Sequence, residues 1–427
     1  MTLFLMLVGL IALVFINVPI AVSLAVVATV AILLTQGAYM LPNVALTMYE
    51  GAQNFPLIAI PMFILAGAIM NSSGISRRLI AFASAIVGFI RGGLAMVNIT
   101  TSMFFAEISG SAVADVAAMG PIIIPEMERK GYPRAFAAAI TSSSASLAII
   151  IPPSIPMILY GVMSGSSIVQ LFVAGIVPGV LGGVSLMATC YWMAVRNNWP
   201  VAEIFQLRRV WETFKDAAWA FLIPFIILGS IFGGFVTATE GAGIAVLAAL
   251  FIGGVIYREL DWRFLYHACI EGAVQTAVVM LLVAASALLG IYLTEARVPQ
   301  QIAQAILDFT QNKYAVLAIL NVFFLVIGLF LHSAAAIILV VPIVMPLVLA
   351  VGIDPVHFGL IVTLNLAIGQ QTPPVASVLI AACSVAKAGI WEVTKINVWF
   401  VAVLIAVLML VTYVPAVPMS LVHYFYN

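Results

Sequence analysis

Apolar runs recur so densely along this 427-residue chain that few folds remain open to it. About 20 apolar residues make a helix that crosses a bilayer. The first run extends from Leu3 to Leu34, and others follow over roughly 57–70, 79–90, 94–108, 112–125, 135–163, 169–194, 217–235, 242–257, 271–293, 314–331, 335–350, 356–385 and 397–422. Only 7% of residues are charged and 64% are hydrophobic, whereas a soluble domain carries about 25% charge. The chain reads as an all-α polytopic membrane protein. Its 16 basic residues match 16 acidic ones, too few and too balanced for a phosphate-neutralising face, which excludes nucleic-acid binding. Cys190, Cys269 and Cys383 are far apart, without C-x-x-C spacing, and read as packing residues. The Leu3–Leu34 run is too long for a cleavable signal and lacks its basic start, so one retained span is expected there.

Several runs are too short for a full crossing. Those at 94–108 and 112–125 meet at Ser109-Gly110-Ser111, a polar tripeptide at membrane depth. Irregular backbone survives there only when buried in protein or lining a cavity, which implies a re-entrant hairpin. The run 135–163 is interrupted by Ser142-Ser143-Ser144 and then by Pro152-Pro153. Proline donates no backbone hydrogen bond and disfavours helix before it, so a span broken near its middle is expected.

Basic residues gather in 77–91, 129–134, 196–215, 258–263 and 387–395, which the positive-inside rule places in the cytoplasm. The segment 299–313 holds Lys313 alone, and the turn from Val351 to His357 has an acid but no Lys or Arg, as fits the opposite side. The polar stretch 196–216 reads as a linker between halves, with an interfacial helix through Trp199 and Trp211.

The chain also matches itself. Pro121 and Pro342, Pro125 and Pro346, Gly131 and Gly352, and Pro152-Pro153 and Pro373-Pro374 are each 221 residues apart. On that register the first tip falls on Phe330-Leu331-His332, beside Ser333, and the serine-rich break falls on Asn365 to Thr372. The loop after the first hairpin, Glu128 to Arg134, is basic while its counterpart at Asp354 is not, so the halves run oppositely through the bilayer. Inverted repeats with broken helices are the architecture of secondary transporters, which bind cargo and coupling ion near the midplane.

At such breaks, freed carbonyls can replace water around a small cation, and helix N-termini suit a carboxylate. The first half offers Ser109, Gly110 and Ser111 at the tip and Ser143, Ser144, Ala148 and Ser154 at the break. The second offers His332, Ser333, Asn365, Gly369, Gln370, Gln371 and Thr372. Asn98 and Asn321 sit in matching hairpin arms, where buried amides serve as site groups or helix glue. Glu107 and Asp115 flank the first tip and suit cation binding, proton relay or anchoring. Glu240 follows Thr237 in a helix-capping pattern and reads as structural. Arg77-Arg78 and Arg297 precede short amphipathic segments that read as surface-anchored arms. No H-E-x-x-H or G-x-S-x-G pattern is present, and His267, His332, His357 and His423 are not paired at ligand spacing, so no catalytic residue is assigned.

At these residues the chain resembles the large membrane subunit of the tripartite ATP-independent periplasmic (TRAP) transporters, the DctM-like family. The resemblance spans essentially the whole chain. It rests on Ser109-Gly-Ser-Ala-Val-Ala-Asp115, Ile150-Ile-Pro-Pro-Ser-Ile-Pro156, Thr237-Ala-Thr-Glu240, Gly352-Ile-Asp-Pro-Val-His-Phe-Gly359 and Asn365-Leu-Ala-Ile-Gly-Gln-Gln-Thr-Pro-Pro374. It implies a multi-pass protein of the bacterial inner membrane and a sodium-driven elevator that imports an organic acid: a C4-dicarboxylate, a sugar acid such as sialic acid, or a sulfonate. It also implies a small four-helix membrane subunit, a periplasmic substrate-binding protein, Na+ as coupling ion and no organic cofactor. A stand-alone sodium/divalent-anion symporter of similar fold is the alternative. By resemblance, sodium falls at the tip–break junctions, nearest Gly110, Ser111 and Ala148 in one half and Ser333, Gly369 and Thr372 in the other. Ser109, Ser154 and His332 complete the candidate sets, with substrate contact from Ser143, Ser144, Asn365, Gln370 and Gln371, and Asn98, Asn321, Glu107 and Asp115 in support. Two positions depart from the family pattern: His332 stands where Asp is usual, and Ser146-Leu-Ala-Ile149 lacks a Gly. The expected organisation is scaffold and arm helices over 1–91, a first repeat over 92–195, a linker over 196–216, a second scaffold over 217–313, a second repeat over 314–395 and a last span over 396–427.

Overall fold

The computed structural model describes residues 2–16, 18–199, 201–202 and 204–426. Among them the secondary structure is helical, apart from one isolated antiparallel bridge between Arg91 and Val201. The first apolar run is two helices rather than the single span expected. α1 (Thr2–Phe15) ends before Pro19, which is the N-cap of α2 (Ile20–Thr35), and the two pack together. Then come α3 (Leu41–Ala52), α4 (Ala59–Ser72) and the short amphipathic α5 (Ile75–Val87).

The first hairpin is α6 (Gly93–Ser109) and α7 (Ala112–Arg129). At its tip Gly110 has φ 58°, a left-handed conformation that a Cβ would strain. α8 (Arg134–Ala145) passes into a 3-10 turn at Ser146–Ile149 and resumes as α9 (Ile155–Ser164). Proline occupies 152 and 153 in between, and the Ser154 hydroxyl donates to the freed Ile149 carbonyl at 2.7 Å. α10 (Ile168–Arg196) closes this half. The linker is shorter than expected: Trp211 lies in α11 (Leu207–Phe232), which continues unbroken toward α12 (Ala238–Phe251). Trp199 packs its ring on Phe136 (4.2 Å between centroids) and Tyr132 (5.0 Å) instead of starting an interfacial helix. Thr237 and Glu240 form the expected capping box at the start of α12.

α13 (Trp262–Glu295) and the amphipathic α14 (Val298–Phe309) lead into the second hairpin, α15 (Lys313–Phe330) and α16 (Ser333–Ala350). The second broken helix is α17 (Pro355–Gly369) and α18 (Ser377–Ala386), followed by α19 (Ile390–Tyr413) and α20 (Ala416–Tyr426). Offset by 221 residues, α7 coincides with α16 end to end, 18 residues each. Eight helical segments among the described residues are long and apolar enough to cross a membrane. The fold is an inverted-topology repeat, and the repeats interlock: α7 packs on α18 and α16 on α9. Tyr160 of α9, wholly buried, donates its hydroxyl to the Pro355 carbonyl at the start of α17 at 2.6 Å. Outside this unit, α4 packs on α12, and α13 on α2, α3 and α4, forming a scaffold. α5 and α14 lie against the hairpins, on α6 and α16.

Candidate binding cavity between the hairpin tips

Both tips open into one cavity of about 460 Å³. The repeats contribute Gly110, Ser111 and the first turns of α7, Ile149, Ile155 and Pro156 at the first break, His332, Ser333 and Ala334 at the second tip, and Gln370 at the second break. The scaffold contributes Ile64 of α4 and Glu271, Val274, Gln275, Val278 and Val279 of α13. Thus three helix N-termini, those of α7, α9 and α16, reach the same space. Each carries first-turn backbone N–H groups that have no intrahelical partner, and a partial positive charge. Among the described residues, no Lys or Arg lines the cavity.

The tips are held by their own backbone chemistry. Gly110 sits so close to the first break that an added Cβ would lie 3.0 Å from the Pro153 carbonyl oxygen and 3.2 Å from the Ile155 nitrogen. At the second tip, Leu331 and His332 are extended and need no glycine. The His332 ring accepts from the Ala334 N–H at 3.4 Å, so its side chain caps α16. The Val375 N–H donates to the Leu329 carbonyl at 3.2 Å, which ties the second break to its hairpin. Gln370 spans that break, its carbonyl accepting from Val378 N–H at 3.2 Å and its side-chain oxygen accepting from Ser377 Oγ at 3.4 Å. The Gln370 Nε2 has no partner although the residue is 2% exposed. An orphaned buried donor costs about 1–3 kcal/mol, and this one belongs to a residue lining the cavity.

The other candidates fall behind the cavity wall in three groups. In the first repeat, Asn98 Nδ2 donates to Thr141 Oγ1 at 2.7 Å and Ser102 Oγ to Ser144 Oγ at 2.8 Å, joining α6 to α8. In the second, Asn365 Nδ2 donates to Asn321 Oδ1 at 2.7 Å, and Asn321 Nδ2 to Thr412 Oγ1 at 3.1 Å. Ser144 and Asn365 are repeat equivalents, and the Ser144 hydroxyl also donates to Asn98 Oδ1 at 3.5 Å, so each arm amide meets the same position of its broken helix. The third group crosses between repeats: Ser143 Oγ lies 2.8 Å from Gln371 Oε1 and 2.7 Å from Asn397 Oδ1, and Gln371 Nε2 donates to Ser146 Oγ at 2.6 Å. All of these residues are buried.

Ala148 and Gly369 occupy equivalent turns beside the breaks, and the Thr372 hydroxyl donates to the Ile368 carbonyl at 3.1 Å. Asp115 is fully buried in the first turn of α7, and Glu107 is half-buried near the end of α6. The side chain of Ser109 lies outside the described residues. The structure therefore brings Gly110, Ser111, His332, Ser333 and Gln370 together in the cavity. Ser143, Ser144, Asn365 and Gln371 lie in the helix-joining networks. Glu271, Gln275, Ser146 and Asn397 were missed from sequence. Glu271 and Gln275 carried a readable signal, an acid and an amide one helical turn apart at the start of an apolar run.

Comparison with known proteins gives a consistent picture. The family model for the tripartite ATP-independent periplasmic transporter, DctM component, matches residues 7–417. The isethionate TRAP transporter permease protein DctMQ of Oleidesulfovibrio alaskensis is 42% identical over 406 residues, 95% of this chain. The match spans 64% of that longer relative. The 2,3-diketo-L-gulonate TRAP transporter large permease protein YiaN of Escherichia coli is 37% identical, over 83% of this chain and 84% of its own. Among solved structures, the Alcanivorax borkumensis YdaH transporter superposes with a TM-score of 0.62, covering 88% of each chain at 15% identity, a likeness of fold.

Proposed function

The chain belongs to the DctM component family of tripartite ATP-independent periplasmic transporters and is a multi-pass inner-membrane protein, and from this premise we propose that it is the large permease of a sodium-coupled importer of small organic acid anions. The cargo enters the cavity between the tips, its acid group held by the N-termini of α7, α9 and α16 and by the Gln370 amide. Sodium binds at the tip–break junctions, where backbone carbonyls are freed. The hairpins and broken helices move as one body against the α4–α13 scaffold, an elevator in which the cavity changes sides. A periplasmic binding protein delivers the cargo, and a small four-helix membrane subunit braces the scaffold. Relatives named for isethionate, diketogulonate, C4-dicarboxylate and sialic acid transport share one chemical theme, a small acid.

The observation that carries this reading is the convergence of three helix N-termini and one buried, unpartnered amide on a single cavity. The test is uptake of labelled organic acids into proteoliposomes holding this chain, the small subunit and the binding protein. Uptake should follow an inward sodium gradient and vanish with potassium in its place, and Gln370→Leu should raise the half-saturating substrate concentration at least tenfold. Uptake that ignores sodium, or by this chain alone, would refute the proposal.

A further inference from the structure

The cavity has two chemically different ends. One, formed by the repeats, holds N–H donors: the first turns of α7, α9 and α16 and the orphaned Gln370 Nε2. The other, on scaffold helix α13, holds the only carboxylate among the described lining residues. Glu271 Oε1 accepts from Gln275 Nε2 at 3.3 Å, one turn away, and no Lys or Arg is among the described residues of the cavity wall. The rest of the α13 face is Val274, Val278 and Val279. A carboxylate so placed repels a second negative charge on a bound molecule, and it accepts a hydrogen bond from a hydroxyl or ammonium group.

Resting on the organic-acid reading above, we propose that Glu271 and Gln275 are specificity-determining residues for a singly charged organic acid with a hydroxyl or amino group at its far end. The acid group takes the donors of the repeats; the donor of the cargo takes Glu271. Dicarboxylates of similar length are disfavoured because their second carboxylate faces Glu271. Glu271–Val279 is the half of α13 nearest the basic 258–263 loop, so these residues meet the cargo while the cavity faces the cytoplasm.

The cytoplasmic-side cavity can be probed independently of the binding protein by acids sealed inside the same proteoliposomes, as inhibitors of sodium-driven uptake. Three probes separate the effects: 2-hydroxyethanesulfonate, ethanesulfonate, which lacks the hydroxyl, and succinate, which adds a carboxylate. The wild type should be inhibited at least tenfold more strongly by the hydroxysulfonate than by either of the others. Glu271→Gln should bring the three within about threefold, with Gly243→Ala in α12, outside the cavity, where a Cβ meets nothing within 4 Å, as a control that leaves their order unchanged. Equal inhibition of the wild type by all three probes overturns the proposal, and needs no variant to fold. So does an unchanged order in a Glu271→Gln protein that still transports. Loss of sodium-driven uptake by the wild type would instead refute the underlying transport reading.

Discussion

Gly369 offers the sharpest steric test of the second break. Its neighbour across the α15–α17 contact is another glycine, and the two backbones touch. A Cβ built on Gly369 would lie 2.5 Å from the Gly328 Cα, 2.6 Å from its carbonyl carbon and 2.9 Å from its oxygen. Ordinary contact begins near 3.4 Å, so Gly369→Ala requires the helices to separate by about 1 Å. The obstructing atoms are backbone and cannot rotate aside, so the upper range of overpacking costs, about 3 kcal/mol, applies. Alanine recovers about 1 kcal/mol of helix propensity, which leaves about 2 kcal/mol of destabilisation. The displacement also reaches the adjoining Gln370 and the cavity. The assay is thermal melting of the purified protein alongside sodium-driven uptake, with Gly290→Ala in α13 as control, since a Cβ there meets nothing within 4 Å. The control should melt at or above the wild type while Gly369→Ala melts below it and loses uptake. A Gly369→Ala protein that melts and transports like the wild type would refute the close-contact reasoning.

Gly110→Ala should cost about 1–2 kcal/mol through its left-handed φ alone, and should impair uptake further because the new methyl presses on Pro153 and Ile155; normal uptake would contradict this. A double-mutant cycle between Ser143→Ala and Gln371→Ala should show about 0.5–3 kcal/mol of coupling in melting stability, whereas Asn98→Ala and Asn321→Ala, in separate networks, should be additive. The Arg78 guanidinium bonds Glu259 at 2.7 Å and Asp216 at 3.3 Å, and it holds the Glu259 carboxyl below its usual value. That stabilisation is present above the ordinary carboxylate range and is lost as pH falls through the lowered value. Arg78→Ala should therefore destabilise by about 1–2 kcal/mol at pH 7, after solvent screening of the pair, with the difference shrinking on acidification below about pH 4.

Most of the fold was legible because helix-breaking residues mark it. Ser109-Gly110-Ser111 and the two proline pairs announce irregular backbone at membrane depth, and the 221-residue spacing makes the second copy readable from the first. The start of the chain was misread because Pro19 sits inside an otherwise continuous apolar run, where hydropathy alone sees no boundary. The linker was misread because the polar residues before Trp211 extend a helix whose apolar part begins later. Amphipathic starts of long helices resemble loops to any reading based on composition.

The candidate site was only half legible, for a physical reason. Repeat matching identifies residues that play the same part twice, such as Ser144 and Asn365, and these prove to join hairpin arm to broken helix in both halves. A cavity, however, is made where the repeats end and something else begins. Glu271 has its internal counterpart at Glu50, in α3, and that residue lines a different cavity beside Glu295. The same register thus carries an acid on both scaffold arms, but only one faces the tips. Symmetry in the sequence cannot say which, because the choice depends on how the hairpins are seated against the scaffold helices. If the hairpin unit moves as the proposed elevator requires, an acid met by the cargo in one position is withdrawn from it in the other, and Glu271 would then act on release to the cytoplasm and leave periplasmic capture to other groups.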